Sequence, residues 1–149
     1  MKKILFVCHG NICRSPMAEY MFRQMVSEAG CSDQYEISSA ATSTEELGNP
    51  VYPPARRELA IHGIACHGHS AHQITRREYE YHDLIVCMDR YNISNLRYLA
   101  GEDTRHKVIR LLDLTDHPRD VADPWYTDRF DICYNDIREG LEALLAQQD

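Results

Sequence analysis

Cys8 and Arg14 stand six positions apart, with His9, Gly10, Asn11, Ile12 and Cys13 between them. The apolar run Ile4-Leu5-Phe6-Val7 precedes them, and Ser15-Pro16 opens a segment of helical periodicity. The stretch therefore reads as strand, turn and helix. A turn of this size, from His9 through Ser15, can curl its backbone N–H groups toward one point with a helix N-terminus behind them. Unpaired N–H donors and the helix dipole both favour an anion there. The guanidinium of Arg14 adds a planar fork matched to two phosphate oxygens. The same field favours the thiolate of Cys8, which is the nucleophilic form. The chemistry predicted is phosphoryl transfer to a thiol lying at the floor of an anion cradle. No Gly-Lys-Ser/Thr follows Gly10, which excludes a Walker-type loop. Cys8 and Cys13 lack a second ligand pair, so zinc is not expected.

Displacing an alcohol or phenol from a phosphate monoester needs more than a nucleophile and a cradle. The leaving oxygen takes a proton from an acid on a separate element, worth about 10²–10⁴-fold. Asp123 is the best candidate, because a residue before proline is held extended on a loop able to reach a strand end. Trp125 and Tyr126 after it fit either core aromatics or a wall of the cleft for a flat ring. His9 would contribute to another wall. Asn11 enters the left-handed backbone region more readily than most residues, and its amide could brace the loop. Ser15 has two openings: N-cap of the helix, with Pro16 at the first helical position, and hydrogen-bond donor to the thiolate.

These groups need a scaffold. Residues 2–8 read as a buried strand. Ala18, Met21, Phe22, Met25, Val26 and Ala29 step by three and four and define one face of a helix ending near Gly30. A second strand is expected over Tyr35 to Ser39, and a loop over Ala41 to Pro54. A helix from Pro53-Pro54-Ala55 to His62-Gly63 and irregular chain from Ile64 to Ser70 come next. Thr75 would cap a short helix through Tyr79. Asp83 to Met88 reads as a strand ended by Asp89, and a helix runs on to Gly101. Lys107 to Leu112 reads as the last strand. The final helix is expected to start near Thr127-Asp128, with Phe130, Cys133, Tyr134, Ile137, Leu141, Leu144 and Leu145 on its apolar face. The fold class is α/β: a four-stranded parallel twisted sheet with helices on both faces, in flavodoxin-like layering. Ligands of such sheets bind beyond the carboxyl ends of the strands, where Cys8 lies.

The 149 residues are expected to form a single domain, 1–149. A net charge of −7 argues against nucleic acid or an anionic membrane as partners. Too few apolar residues follow Met1-Lys2-Lys3 for a signal peptide or membrane span, so the cytoplasm is expected. The six cysteines then read as reduced thiols. Cys66-His67-Gly68-His69, near His62 and His72, fits no common zinc spacing, and no metal or cofactor is expected.

Cys8 to Arg14, followed by Ser15-Pro16, resembles the signature loop of the low-molecular-weight protein tyrosine phosphatases. Asp123-Pro124-Trp125-Tyr126 is similar to the element that carries their general acid. Met88-Asp89-Arg90 and Asp136-Ile137-Arg138-Glu139-Gly140 extend the resemblance over nearly the whole chain. It implies a phosphotyrosine phosphatase I-like fold and hydrolysis through a phosphocysteine on Cys8, with Arg14 binding phosphate and Asp123 as acid. Substrates would be phosphotyrosine proteins or small aryl phosphates, with phosphate as product and a monomer or weak dimer as the working form. Ser39 and His69 match the hydrogen-bonding partners of Asn11. Cys13 matches a resolving thiol that captures oxidised Cys8 as a disulfide. By the same resemblance, the neighbourhood of Asn49 to Tyr52 tunes substrate preference. The family often carries an aromatic near Glu45 to Gly48, and this chain has none; Ala41 stands where glycine is usual. A thioredoxin-coupled arsenate reductase of the same fold needs two more cysteines near the third strand, but Ser94 stands seven positions after Cys87. Phosphoarginine phosphatases tend to carry threonine at the position of Ile12, which favours tyrosine here.

Overall fold

A computed structural model describes residues 1–147. The strands are β1 (Lys2–Cys8), β2 (Tyr35–Ala41), β3 (Leu84–Cys87) and β4 (Val108–Arg110), all parallel and in the order β2-β1-β3-β4. Ile4, Leu5, Phe6 and Val7 are wholly buried, because β1 has a neighbour on each edge and helices on each face. Successive side chains of a strand point to opposite faces. Accordingly Ile4, Phe6 and Cys8 join one core with Met17, Phe22, Leu59, Ile137 and Leu141, while Leu5 and Val7 join another with Tyr79 and Leu96. The first core lies under α1 (Arg14–Glu28), α2 (Pro53–Ile61) and α6 (Phe130–Gln147); the second lies under α3 (Arg76–Tyr81) and α4 (Arg90–Ala100). The expected layering is therefore observed. Among the described residues no helix is long and apolar enough to cross a membrane.

The order 2-1-3-4 sends the chain leaving β1 toward one edge and the chain leaving β3 toward the other. A crevice opens between those strand ends, the topological switch point of such sheets. Cys8 closes β1 and Asp89 follows β3, so both residues lie at that crevice.

Several boundaries differ from the sequence reading. Helix α1 begins at Arg14, with Cys13 as N-cap and no side chain capping it, so Ser15 is not the cap and Pro16 is not the first helical residue. The Ser15 hydroxyl has turned inward to Cys8 and Asn11 instead. Ala29 is exposed as the C-cap, while Gly30 ends the helix with φ of 74°. β2 runs on to Ala41. β4 is shorter than expected, because Leu111–Leu114 tightens into a 3-10 turn that buries Leu111 and Leu112. Thr75 caps α3 through a reciprocal capping box with Glu78. The final helix begins only at Phe130. Before it lies a short helix, α5 (Pro124–Thr127), capped by Asp123 and stopped by Asp128 in the left-handed conformation at φ of 58°.

Candidate active site

Cys8 is nearly buried at the end of β1. Its Sγ accepts from the Asn11 N–H at 3.3 Å and lies 2.9 Å from Ser15 Oγ. The loop can double back this tightly because Asn11 adopts φ of 59°. Its side chain is fixed in place: Nδ2 donates to Ser15 Oγ at 2.8 Å and to Ser39 Oγ at 3.0 Å, while Oδ1 accepts from the His72 N–H at 3.3 Å. His69 Nε2 meets the carbonyl of Asn11 at 2.7 Å, so it contacts the backbone and not the side-chain amide. Since Ser15 Oγ accepts from Asn11, its own proton is available to Cys8. Ser39 Oγ in turn donates to Glu19 Oε1 at 2.5 Å, and Glu19 pairs with Arg23. Glu19 went unnoticed in the sequence, where its only sign was a carboxylate next to the apolar face of α1.

Arg14 is 2% exposed. Its Nη1 donates to Asp89 Oδ2 at 2.7 Å and to the Val121 carbonyl at 2.9 Å, while Nη2 lies 3.4 Å from Asp123 Oδ2. Burial works against the charge, but Cys8, Asp123 and Asp89 outweigh it and raise the guanidinium above its ordinary value. In the sequence Asp89 reads as the end of a strand and as part of the Met88-Asp89-Arg90 resemblance, with no role beside Arg14. An acid between a strand and a helix is also an N-cap signal, and Asp89 does cap α4.

Asp123 Oδ1 accepts from the Trp125 N–H at 3.0 Å, which leaves Oδ2 on the side of Arg14. Cys8, Arg14 and Asp123, far apart in sequence, thus border one cavity of about 120 Å³. His9, Gly10, Ile12 and Cys13 line it too, while Asn11, Ser15, Ser39 and His69 stand behind it. Trp125 is 51% exposed and Tyr126 82%, which decides between the two readings: they form the cavity mouth and are not core. Tyr52 supports Trp125, with ring centroids 5.0 Å apart. Glu45 and Glu46 line the cavity as well, and Glu45 pairs with His9. The carboxylates stand where an aromatic was noted as missing. Burial, and then the neighbouring Cys8, push the thiol of Cys13 far up, so it stays protonated beside Cys8. Among the described residues no group of three or more His, Cys, Asp or Glu side chains could hold a metal ion.

Chemically, the arrangement presents a sulfur nucleophile, a fixed cation and a carboxyl group around a space open to solvent on its aromatic side. Residues 3–149 match the family model described as low molecular weight phosphotyrosine protein phosphatase. The low molecular weight protein-tyrosine-phosphatase YfkJ of Bacillus subtilis is 38% identical over 148 residues, covering 98% of this chain and 95% of the Bacillus protein. Its crystal structure superposes with a TM-score of 0.95 over 99% of this chain and 94% of its own. The low molecular weight phosphotyrosine protein phosphatase of Rattus norvegicus is 39% identical over 97% of this chain and 94% of the rat protein. A Drosophila arginine phosphatase, at 27% identity, superposes with a TM-score of 0.89 over all of this chain and 98% of its own. In sequence and in fold alike, the chain belongs to the low-molecular-weight phosphotyrosine protein phosphatase family.

Proposed function

We propose that this enzyme hydrolyses phosphotyrosine in proteins, and small aryl phosphates, by a double displacement at phosphorus. The Cys8 thiolate attacks in line and forms the S–P bond as the P–O bond to the phenol breaks. Backbone N–H groups from His9 to Ser15 and the fork of Arg14 hold the equatorial oxygens. Asp123 in its acid form gives its proton to the departing phenol oxygen. As a carboxylate it then takes a proton from the water that breaks the S–P bond, releasing phosphate and the thiolate. Ser15 donates to the sulfur, and Asn11, Ser39 and His69 keep the loop in shape. His9, Trp125 and Tyr126 flank the phenyl ring.

The observation that carries this reading is the meeting of Cys8, Arg14 and Asp123 around one cavity whose mouth is aromatic. Cys8→Ser should abolish turnover of p-nitrophenyl phosphate. Asp123→Asn should slow it, and slow phosphotyrosine more, because the poorer leaving group needs the proton more. Turnover surviving Cys8→Ser, or requiring a divalent cation, would overturn the mechanism. Phosphoarginine is the second reading, favoured by the likeness to the Drosophila protein. It belongs in the same assay, where phosphotyrosine should be the faster substrate. The apolar Ile12 in the cavity wall and the exposed rings support tyrosine.

Cys13 we assign to redox protection. Peroxide oxidises Cys8 to the sulfenic acid; the Cys13 sulfur then displaces its oxygen as water, leaving a Cys8–Cys13 disulfide that thiols reduce. A peptide map of peroxide-treated protein should contain that disulfide, and sulfinic Cys8 alone would count against it. The reading places a single phosphatase domain in the cytoplasm, where its six free thiols stay reduced. It works there as a monomer or weak dimer, since one chain supplies all three reacting groups.

A further inference from the structure

A second recess of about 350 Å³ opens beside the catalytic cavity, between the start of α4 and the loop leading to α5, and the reaction above makes no use of it. The two share His9, Arg14, Asp123 and Tyr126, so they lie side by side. A peptide delivering its phosphotyrosine to Cys8 has its next Cα about 3.8 Å away, which brings a neighbouring side chain within reach of the recess.

Each carboxylate in the recess already has a partner within the protein. Asp89 is taken by Arg14 at 2.7 Å. Asp120 accepts from Arg110 at 2.8 Å and from the Arg90 N–H at 3.0 Å. Asp123 accepts from the Trp125 N–H at 3.0 Å and faces Arg14. Beside the exposed amide of Asn95, the recess offers a ligand aromatic surface: Tyr91 is 61% exposed and Tyr126 82%. Exposed aromatics gathered at the rim of one concavity mark an interaction site more than a solvated face. The Tyr91 ring is also held in place. The Arg90 guanidinium lies 5.2 Å from its centroid and donates to its hydroxyl at 3.3 Å, which lowers the ordering cost of binding.

We propose that this recess is a specificity subsite for an apolar side chain, leucine or phenylalanine, adjacent to the phosphotyrosine, with Tyr91 as its principal wall. The proposal rests on the phosphotyrosine reading, and the test separates the two. Phosphotyrosine peptides carrying leucine, alanine or aspartate on either side of the phosphorylated residue are compared by kcat/KM, with p-nitrophenyl phosphate as a substrate too small to reach the recess. For the wild-type enzyme, leucine on one side should exceed alanine by about 5- to 20-fold, the effect of partly burying one apolar side chain. Tyr91→Ala should remove that gain and leave p-nitrophenyl phosphate turnover unchanged, while Tyr91→Phe, which keeps the ring, should retain it. Equal rates for leucine and alanine, a preference for aspartate, or a leucine gain that survives Tyr91→Ala would each overturn the subsite. An equal loss on p-nitrophenyl phosphate in Tyr91→Ala would overturn it as well, because Tyr91 would then serve the reaction centre. Failure of the wild-type enzyme on every phosphotyrosine substrate would instead fault the underlying activity.

Discussion

Each oxygen of Asp89 has its own partner. Oδ1 accepts from the Asn92 N–H at 2.8 Å and caps α4, while Oδ2 accepts from Arg14 at 2.7 Å and orients its guanidinium fork. Asp89→Asn keeps a capping oxygen, so α4 should persist, but it removes the counter-charge beside a buried guanidinium. A misdirected fork lowers kcat on the order of 10²-fold. Steady-state kinetics alongside circular dichroism would check this: native helix content with near-normal kcat would show that Asp89 serves only the helix. At this scale the sequence was uneven. Cys8, Arg14 and Asp123 were legible because motif and proline placement point to them. The dual use of Asp89 and the burial of Glu19 were not, since an isolated acid does not announce what will cover it.

At the scale of elements, the sharpest fit is between α6 and the turn at Leu111–Leu114. A Cβ built on Gly140 would lie 2.4 Å from Leu111 Cγ, and Leu111 is wholly buried. Alanine normally gains about 1 kcal/mol over glycine inside a helix, but overpacking of a closed core costs about 1–3 kcal/mol. Gly140→Ala should therefore be destabilising by about 1 kcal/mol net, read as a lower urea midpoint with activity retained. A variant at least as stable as the wild type would mean that Leu111 moves aside. The capping box of α3 offers a milder test. Thr75→Ala removes the acceptor of the Glu78 N–H at 3.1 Å and should cost about 1 kcal/mol in the same measurement. The Thr75 cap was read from sequence because capping is local. The start of α1 was not, because Ser15 found better partners in the folded loop than in its own helix.

For the molecule as a whole, stability should depend on pH through His72 and Glu78, which meet at 2.7 Å. This pair ties α3 to the segment bracing the catalytic loop, since the His72 N–H reaches Asn11 Oδ1. The Glu78 hydrogen bond raises His72 above its ordinary 6.5, so its contribution is complete below about pH 6.5 and is lost as pH rises through the higher folded value. For Glu78 burial acts upward, but the bond and charge of His72 prevail and lower it from 4.5. Its contribution is present above about pH 4.5 and is lost as pH falls through the lower folded value. The pair therefore helps most between those limits. Urea midpoints of wild type and Glu78→Gln should differ most near pH 6 and converge toward pH 9. Glutamine can still complete the capping box, so a gap that does not narrow would exclude the ion pair as its cause.

By itself the sequence determined the alternation of strands and helices, the order of the chemistry along the chain, and the cradle. Hydrophobic period, turn residues and a seven-residue motif are local properties that neighbouring positions express together. Only the tertiary structure decided that Asp89 and Asp123 both reach Arg14, because strand order 2-1-3-4 opens the crevice where they meet. It also decided that Trp125 and Tyr126 face solvent, that Glu45 and Glu46 line the same cavity, and that Tyr91 borders a second recess. Which side chains become neighbours across distant segments depends on how layers pack, and no window of sequence contains that.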